Sequence, residues 1–159
     1  MDIDIKMSGN KFKMRVGAVV VNNGKILVAK SRKFEGFIFP GGHVKLGETS
    51  REAIVREFEE EVGVKGHIDK LLCIHENIYN DSLKDRVFQE VVYYYVIIPD
   101  NPIPKDNFTR EEMDGDILCT HHFEWIDVLK AKELNLNPSH VIDLFLDGVE
   151  EKYILTDER

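Results

Sequence analysis

From Met14 to Val21 the chain is almost continuously apolar, and Asn22-Asn23-Gly24 interrupts it before Ile26, Leu27 and Val28 resume. An apolar run bounded by a turn signal predicts a buried strand, and the Asn-Gly pair predicts a hairpin into a second strand over Lys25 to Lys30. Ser31 to Gly36 is polar and Phe37-Ile38-Phe39 is apolar. Pro40-Gly41-Gly42 must break regular structure, so a loop is expected from there to about Glu48. Thr49-Ser50-Arg51-Glu52 has the form of a capping box, in which a threonine and a glutamate satisfy each other's free backbone N–H groups. The helix it opens should run from Ser50 to about Val62, where Gly63 supplies the left-handed terminating residue.

Ile68 to Tyr79 and Val87 to Ile98 read as a second strand pair, joined by the polar stretch Asn80 to Arg86; the run Val91 to Ile98 is rich in β-branched and aromatic residues. Pro99 to Cys119 carries three prolines and many charges, which predicts a long surface loop. Phe123 to Ile126 is expected to be a last strand. Asn137-Pro138 then offers a cap and a first-turn proline to a terminal helix with Val141, Ile142, Leu144, Phe145 and Leu146 on its apolar side and Gly148 at its end. This order predicts an α/β fold, an α/β/α sandwich with a mixed β-sheet between helices. No internal repeat or low-complexity segment interrupts it.

At 159 residues with 43% apolar content, one domain spanning 1–159 is expected, since two independent cores would be cramped. Met1 to Arg15 lacks the apolar core of a secretory signal, and Val91 to Ile98 is too short to cross a bilayer, so a soluble, cytoplasmic protein with no membrane partner is expected. Cys73 and Cys119 stand far apart, outside any C-x-x-C spacing, and read as two buried thiols. A net charge of −8 argues against broad nucleic-acid binding, which needs a basic stripe. An acidic protein can still act on a small phosphorylated molecule when a divalent cation mediates the contact.

The central helix offers one candidate place for such a cation. At about 100° per residue, Glu57, Glu60 and Glu61 share one arc about 100° wide. Ile54, Val55, Phe58 and Val62 form an adjacent apolar face, and Glu59 points to solvent. Like charges at this spacing destabilise a helix, and anions in the last turn oppose its dipole. Read alone, the run is a solvated acidic face; a hard cation coordinated by these carboxylates would remove the repulsion.

The flanking residues separate the two readings. Gly42, then Glu48 after five residues, then Arg56-Glu57-Phe58 after seven, then Glu60-Glu61, Gly63 and Val64 form a spaced set that resembles the Nudix box, G-x5-E-x7-R-E-U-x-E-E-x-G-U, with U a bulky aliphatic residue. Phe58 at the first U position is the one departure. Gly36-Phe37-Ile38-Phe39-Pro40 is similar to the family's G-W-x-L-P approach, and Phe123-Glu124-Trp125-Ile126 to its late aromatic strand.

The resemblance implies a hydrolase that cleaves a diphosphate linkage in a small nucleotide-type substrate, with Mg²⁺, or Mn²⁺ in its place, as cofactor. It implies Glu57, Glu60 and Glu61 as metal ligands, joined by the backbone carbonyl of Gly41, and Glu57 or Glu60 as the base. Arg56 and Glu48 are expected to pair and orient the helix against the loop. Family members often add an acidic residue from a later loop, for which Glu111 and Glu112 are the candidates. Lys30, Arg32, Lys33 and Lys45 are candidates for phosphate contacts, with plain surface positions the alternative. Tyr79 stands near the place of a base-stacking tyrosine in some dinucleoside polyphosphate hydrolases, although a strand tyrosine fits equally. The six histidines, His43, His67, His75, His121, His122 and His140, are left out of the site. His121-His122 opens a strand and points to opposite faces, so it is no two-histidine metal clamp.

Nucleoside triphosphates, ADP-ribose, nucleotide sugars and dinucleoside polyphosphates stay open as substrates, and capped RNA is disfavoured by the acidic charge. Three other readings compete: a nucleotide-sensing module of the same fold without turnover, an isoprenoid diphosphate isomerase, for which neither cysteine has a matching context, and an acidic protein with no site. A homodimer is the commonest assembly among soluble oligomers.

Overall fold

The structure, a computed structural model, describes residues 1–81, 86–114 and 116–159, without the side chains of Asp81, Glu112 and Asp114. Strands β1 (Asp4–Met7), β2 (Asn10–Val19), β3 (Val21–Asn22), β4 (Lys25–Lys30) and β5 (Phe37–Ile38) precede helix α1 (Ser50–Val62). Strands β6 (Gly66–Asp81), β7 (Arg86–Pro99), β8 (Phe108–Asp114) and β9 (Ile117–Asp127) follow. A 3-10 turn (Val128–Lys130), β10 (Leu136–Asn137), α2 (His140–Leu146) and β11 (Lys152–Glu158) complete the chain.

Two sheets form, ordered β1-β2-β7-β6-β11 and β10-β5-β4-β9-β8, with β3 paired to β4. The first is mixed: β2 runs parallel to β7 and β11 parallel to β6, while β6 and β7 are antiparallel. The long apolar stretch from Met14 is therefore shared between sheets, because Val20 separates β2 from the β3–β4 hairpin. Asn23 and Gly24 take φ of +50° and +73°, the left-handed pair that a two-residue hairpin turn requires.

Helix α1 has the bounds its caps dictate. Glu52 N–H donates to Thr49 Oγ1 at 3.2 Å, Thr49 N–H donates to Glu52 Oε2 at 2.9 Å, and Gly63 at φ +77° closes the helix with its N–H on the Glu59 carbonyl. Ala53, Ile54, Phe58 and Val62 are buried against Val16, Ala18, Val20, Leu27 and Phe123. Phe58, the unusual residue in the motif, is fully enclosed. A second apolar cluster gathers Val19, Ile26, Val28 and Tyr94 with Val141 and Ile142 of α2. The α/β fold expected from the order of elements is present, with two sheets where one was expected. No helix of the described residues is long and apolar enough to cross a membrane.

Three local expectations are corrected. Pro99 to Cys119 is not one loop: its prolines are confined to its first residues, and β8 pairs with β9 from Phe108↔Phe123 to Asp114↔Ile117. This hairpin is largely exposed and therefore lacks the apolar alternation that marks a half-buried strand. Phe123–Ile126 is only the end of β9, and His121 lies well inside that strand rather than at its start. The helix after Asn137-Pro138 is not terminal. Asn137 belongs to β10, the helix starts at His140 with no side-chain cap from Ser139, and β11 follows to cover the edge of β6.

Candidate active site

The segment after β5 runs beside β2. Ala18 N–H donates to the Pro40 carbonyl at 2.7 Å, Val16 N–H to the Gly42 carbonyl at 3.0 Å, and Val44 N–H to the Met14 carbonyl at 2.9 Å. Two glycines make this approach compatible with α1. Gly41 has φ +145°, and a Cβ there would collide with the Val16 carbonyl; a Cβ on Gly42 would occupy the place of the Glu57 carboxylate. Gly41 N–H donates to Glu61 Oε2 at 2.8 Å. Glu57 and Glu61 are thus drawn under the turn, at 9% and 7% exposure, while the Glu60 side chain keeps 46% and stands at the open side.

Arg56 organises the charges. Its Nε and Nη2 donate to Glu48 Oε1 and Oε2 at 2.7 and 2.8 Å, a bidentate pair, and Nη2 also donates to the His43 carbonyl at 3.0 Å. Its Nη1 donates to Glu57 Oε1 at 2.7 Å and to Glu60 Oε2 at 2.8 Å. Glu48 further accepts Lys45 N–H at 3.0 Å. The hydrogen bonds from Arg56 hold the Glu48 carboxyl below the usual carboxylate range, and Glu48 in turn raises the Arg56 guanidinium above its own. The pairing of Arg56 with Glu48, expected from the sequence, is present and is extended to two of the helix carboxylates.

The donor set here is oxygen throughout, carboxylates beside a glycine backbone turn, which suits a hard divalent cation. Among the described residues no three acidic, histidine or cysteine side chains already converge as a cage. Arg56 Nη1 bridges Glu57 and Glu60 instead, and Glu61 is engaged by Gly41.

The carboxylates line a cleft of about 1220 Å³ that also receives Lys30, Arg32, Lys33, Lys45 and Tyr79. Two of these cations are engaged elsewhere: Lys30 Nζ lies 2.9 Å from Glu124, and Arg32 donates to the Thr120 carbonyl at 2.7 Å. Tyr79 stacks on Phe88 at 5.2 Å between centroids. Glu111 is exposed, faces Thr120 across the hairpin and does not join the helix carboxylates; the Glu112 side chain lies outside the described residues. Cys73 is buried, and burial pushes its thiol up to about 12.

Sequence reasoning missed four residues. His121 Nδ1 lies 3.6 Å from Glu61 Oε1, brought there by a hairpin taken for a loop. Lys13, Arg15 and His43 also line the cleft. For Lys13 and Arg15 a signal was present in the alternation of Lys11, Lys13 and Arg15 along a strand, which puts these three on one face; His43 joins them through its bridge to Arg15.

A NUDIX domain model matches residues 11–145. Over 117 residues the chain is 29% identical to an RNA pyrophosphohydrolase of Pseudoalteromonas atlantica, covering 73% of this chain and 67% of that one. It is 38% identical over 65 residues to an ADP-ribose pyrophosphatase of Methanocaldococcus jannaschii, covering 39% of this chain and 38% of that relative, so the match spans well under half of that protein. A solved mutator MutT protein from Bacillus halodurans superposes with a TM-score of 0.63 at 17% identity, covering 89% of this chain and 86% of that one, which speaks for the fold alone. With the box residues on α1 and its preceding glycine turn, these matches show that the chain belongs to the Nudix hydrolase family.

Proposed function

We propose that this protein hydrolyses a diphosphate linkage in a small nucleotide-type substrate, with Mg²⁺ as its cofactor. The observation that carries the reading is the gathering of Glu57, Glu60 and Glu61 around the Gly41-Gly42 turn under the control of Arg56. Glu57, Glu60, Glu61 and the Gly41 carbonyl would hold the cation. When bound, a divalent cation neutralises the diphosphate and lowers the pKa of an attacking water.

The chain's own residues do the rest. Glu57 or Glu60 accepts the proton of the attacking water at a carboxylate oxygen, as the water oxygen bonds to phosphorus and the bridging P–O bond breaks. Arg56 is a positioning residue: by holding Glu57 and Glu60 while clamped to Glu48, it offsets their mutual repulsion and keeps both aimed at one volume. The intact set of carboxylates supports turnover over a sensing role.

The test is a panel of nucleoside triphosphates, ADP-ribose, nucleotide sugars and dinucleoside polyphosphates, extended to RNA 5′ ends because a relative is named for RNA. Each is incubated with Mg²⁺ or with EDTA, for the wild type and for Glu60→Gln. Metal-dependent cleavage that the variant loses supports the reading; cleavage unaffected by both changes would overturn it.

A further inference from the structure

The cleft has a second wall of opposite sign. Strand β2 places Lys11, Lys13 and Arg15 on one face of the sheet, and the register sets Lys13 beside Glu90 and Arg15 beside Val92. Lys11 is paired with Asp4 at 2.7 Å. Lys13 is 7% exposed, and no described carboxylate pairs with it within ion-pair distance. Its cross-strand neighbour Glu90 is engaged by Asn77, which donates to Glu90 Oε1 at 3.3 Å. Burial, and after it the neighbouring cations Lys33, Lys11 and Arg15, push its ammonium down to about 8, with Glu90 acting the other way. Arg15 Nε is buried with no hydrogen-bond partner, whereas His43, bridged to Arg15 through the backbone, lies 3.8 Å from both Asp2 and Asp4.

An uncompensated buried cation costs several kcal/mol, and like-charged neighbours add to the cost. This chain has an excess of acidic over basic residues, 29 against 21, yet among the described residues only Glu90, across the strand, bears on Lys13 with opposite charge, and it forms no ion pair with it. The partner that would remove the cost is an anion arriving from outside through the cleft.

Position along the strand says which anion. A Cβ on Gly41 would lie 3.0 Å from Gly17 Cα, so Gly17 marks the level of the carboxylate end. Lys13 is four residues back along the same extended strand, about 13 Å at 3.3 Å per residue, with Arg15 midway. That span is longer than one diphosphate held at the carboxylates.

We propose that Lys13 and Arg15, with Lys33 at the rim, form an anion subsite for a phosphate group beyond the two joined by the cleaved bond. The substrate class is then one with three or more phosphate groups, in preference to two-phosphate conjugates such as ADP-ribose or nucleotide sugars. This rests on the reading of the helix carboxylates as the hydrolytic end, and its test separates the two.

Binding of inorganic tripolyphosphate in EDTA is measured by calorimetry for the wild type, Lys13→Met, Arg15→Met and Lys13→Arg, with thermal melts to show that each is folded. Lys13→Met and Arg15→Met should each weaken binding by at least about tenfold, the equivalent of one charge-assisted hydrogen bond. Lys13→Arg should restore most of it. In turnover, Lys13→Met should lower the ratio of kcat/KM for triphosphate over diphosphate-conjugate substrates by a similar factor. Folded Lys13→Met and Arg15→Met proteins that bind tripolyphosphate like the wild type would overturn the subsite, whatever the panel shows. Loss of binding in these variants alongside a wild type that cleaves nothing would retain the subsite and reject the hydrolytic reading.

Discussion

Gly42 and Arg56 constrain the carboxylates from two directions. A methyl group at Gly42 would sit where the Glu57 carboxylate lies, so Gly42→Ala should displace Glu57 and lower kcat at least about tenfold. The strain of inserting a methylene-sized group into a packed site is of order 1–3 kcal/mol, and a modest fall in Tm should accompany the loss. Arg56 serves three carboxylates and a carbonyl with one planar fork, a geometry that an ammonium cannot reproduce. Arg56→Lys should therefore behave much like Arg56→Met in a kinetic assay, and recovery of full activity by lysine would contradict the clamp. The sequence showed the three carboxylates and the Arg56–Glu48 pair as spacing, because a single helix with a 3.6-residue period brings Glu57, Glu60 and Glu61 together; the fit of Gly42 against Glu57 and the reach of Arg56 to Glu57 and Glu60 depend on the folded loop.

Among the elements, α1 is the most self-contained. Thr49, Glu52 and Gly63 fix its ends locally, and Thr49→Ala should cost about 1 kcal/mol, read as a lower Tm with little change in KM. Strands β6 and β7 were equally legible, since their apolar residues run long and β-branched. The β8–β9 hairpin was not, because both its faces meet solvent over much of its length and Arg110, Glu111 and Glu112 mask any alternation. That omission hid His121, which reaches Glu61 only through the pairing of the two strands. Strand β11 was missed for a different reason: it is an edge addition, parallel to β6, and such pairing is decided by the three-dimensional return of the chain after α2 rather than by its own seven residues.

At the scale of the whole molecule, net charge conceals the arrangement. An acidic protein of −8 carries a cleft with carboxylates at one end and the cations Lys13 and Arg15 along its floor. The acidic end could be read from one helix; the basic side chains alternate along one strand, but that they floor this cleft depends on which strands neighbour β2. The consequence for stability is measurable. With its ammonium pushed down to about 8 from an unfolded value of 10.5, Lys13 stays charged in both states below pH 8, and the cost of burying it is then fully present. Between pH 8 and 10.5 the folded protein has released a proton that the unfolded chain keeps, so stability rises with pH through that window. At about 1.4 kcal/mol per tenfold in proton affinity, the cost is of order 3 kcal/mol at most. Lys13→Met should thus raise Tm at pH 7 and lose that advantage toward pH 10 in thermal melts, while weakening polyphosphate binding.

The most direct measurement is the phosphorus NMR of a nucleoside triphosphate incubated with the wild type and with Glu60→Gln, each in Mg²⁺ and in EDTA. Release of a phosphate or diphosphate product by the wild type in Mg²⁺ alone, with the signal lost in the folded variant, is the expected result. Equal product from the variant, or from the wild type in EDTA, would contradict the assignment of hydrolysis to the carboxylates of α1.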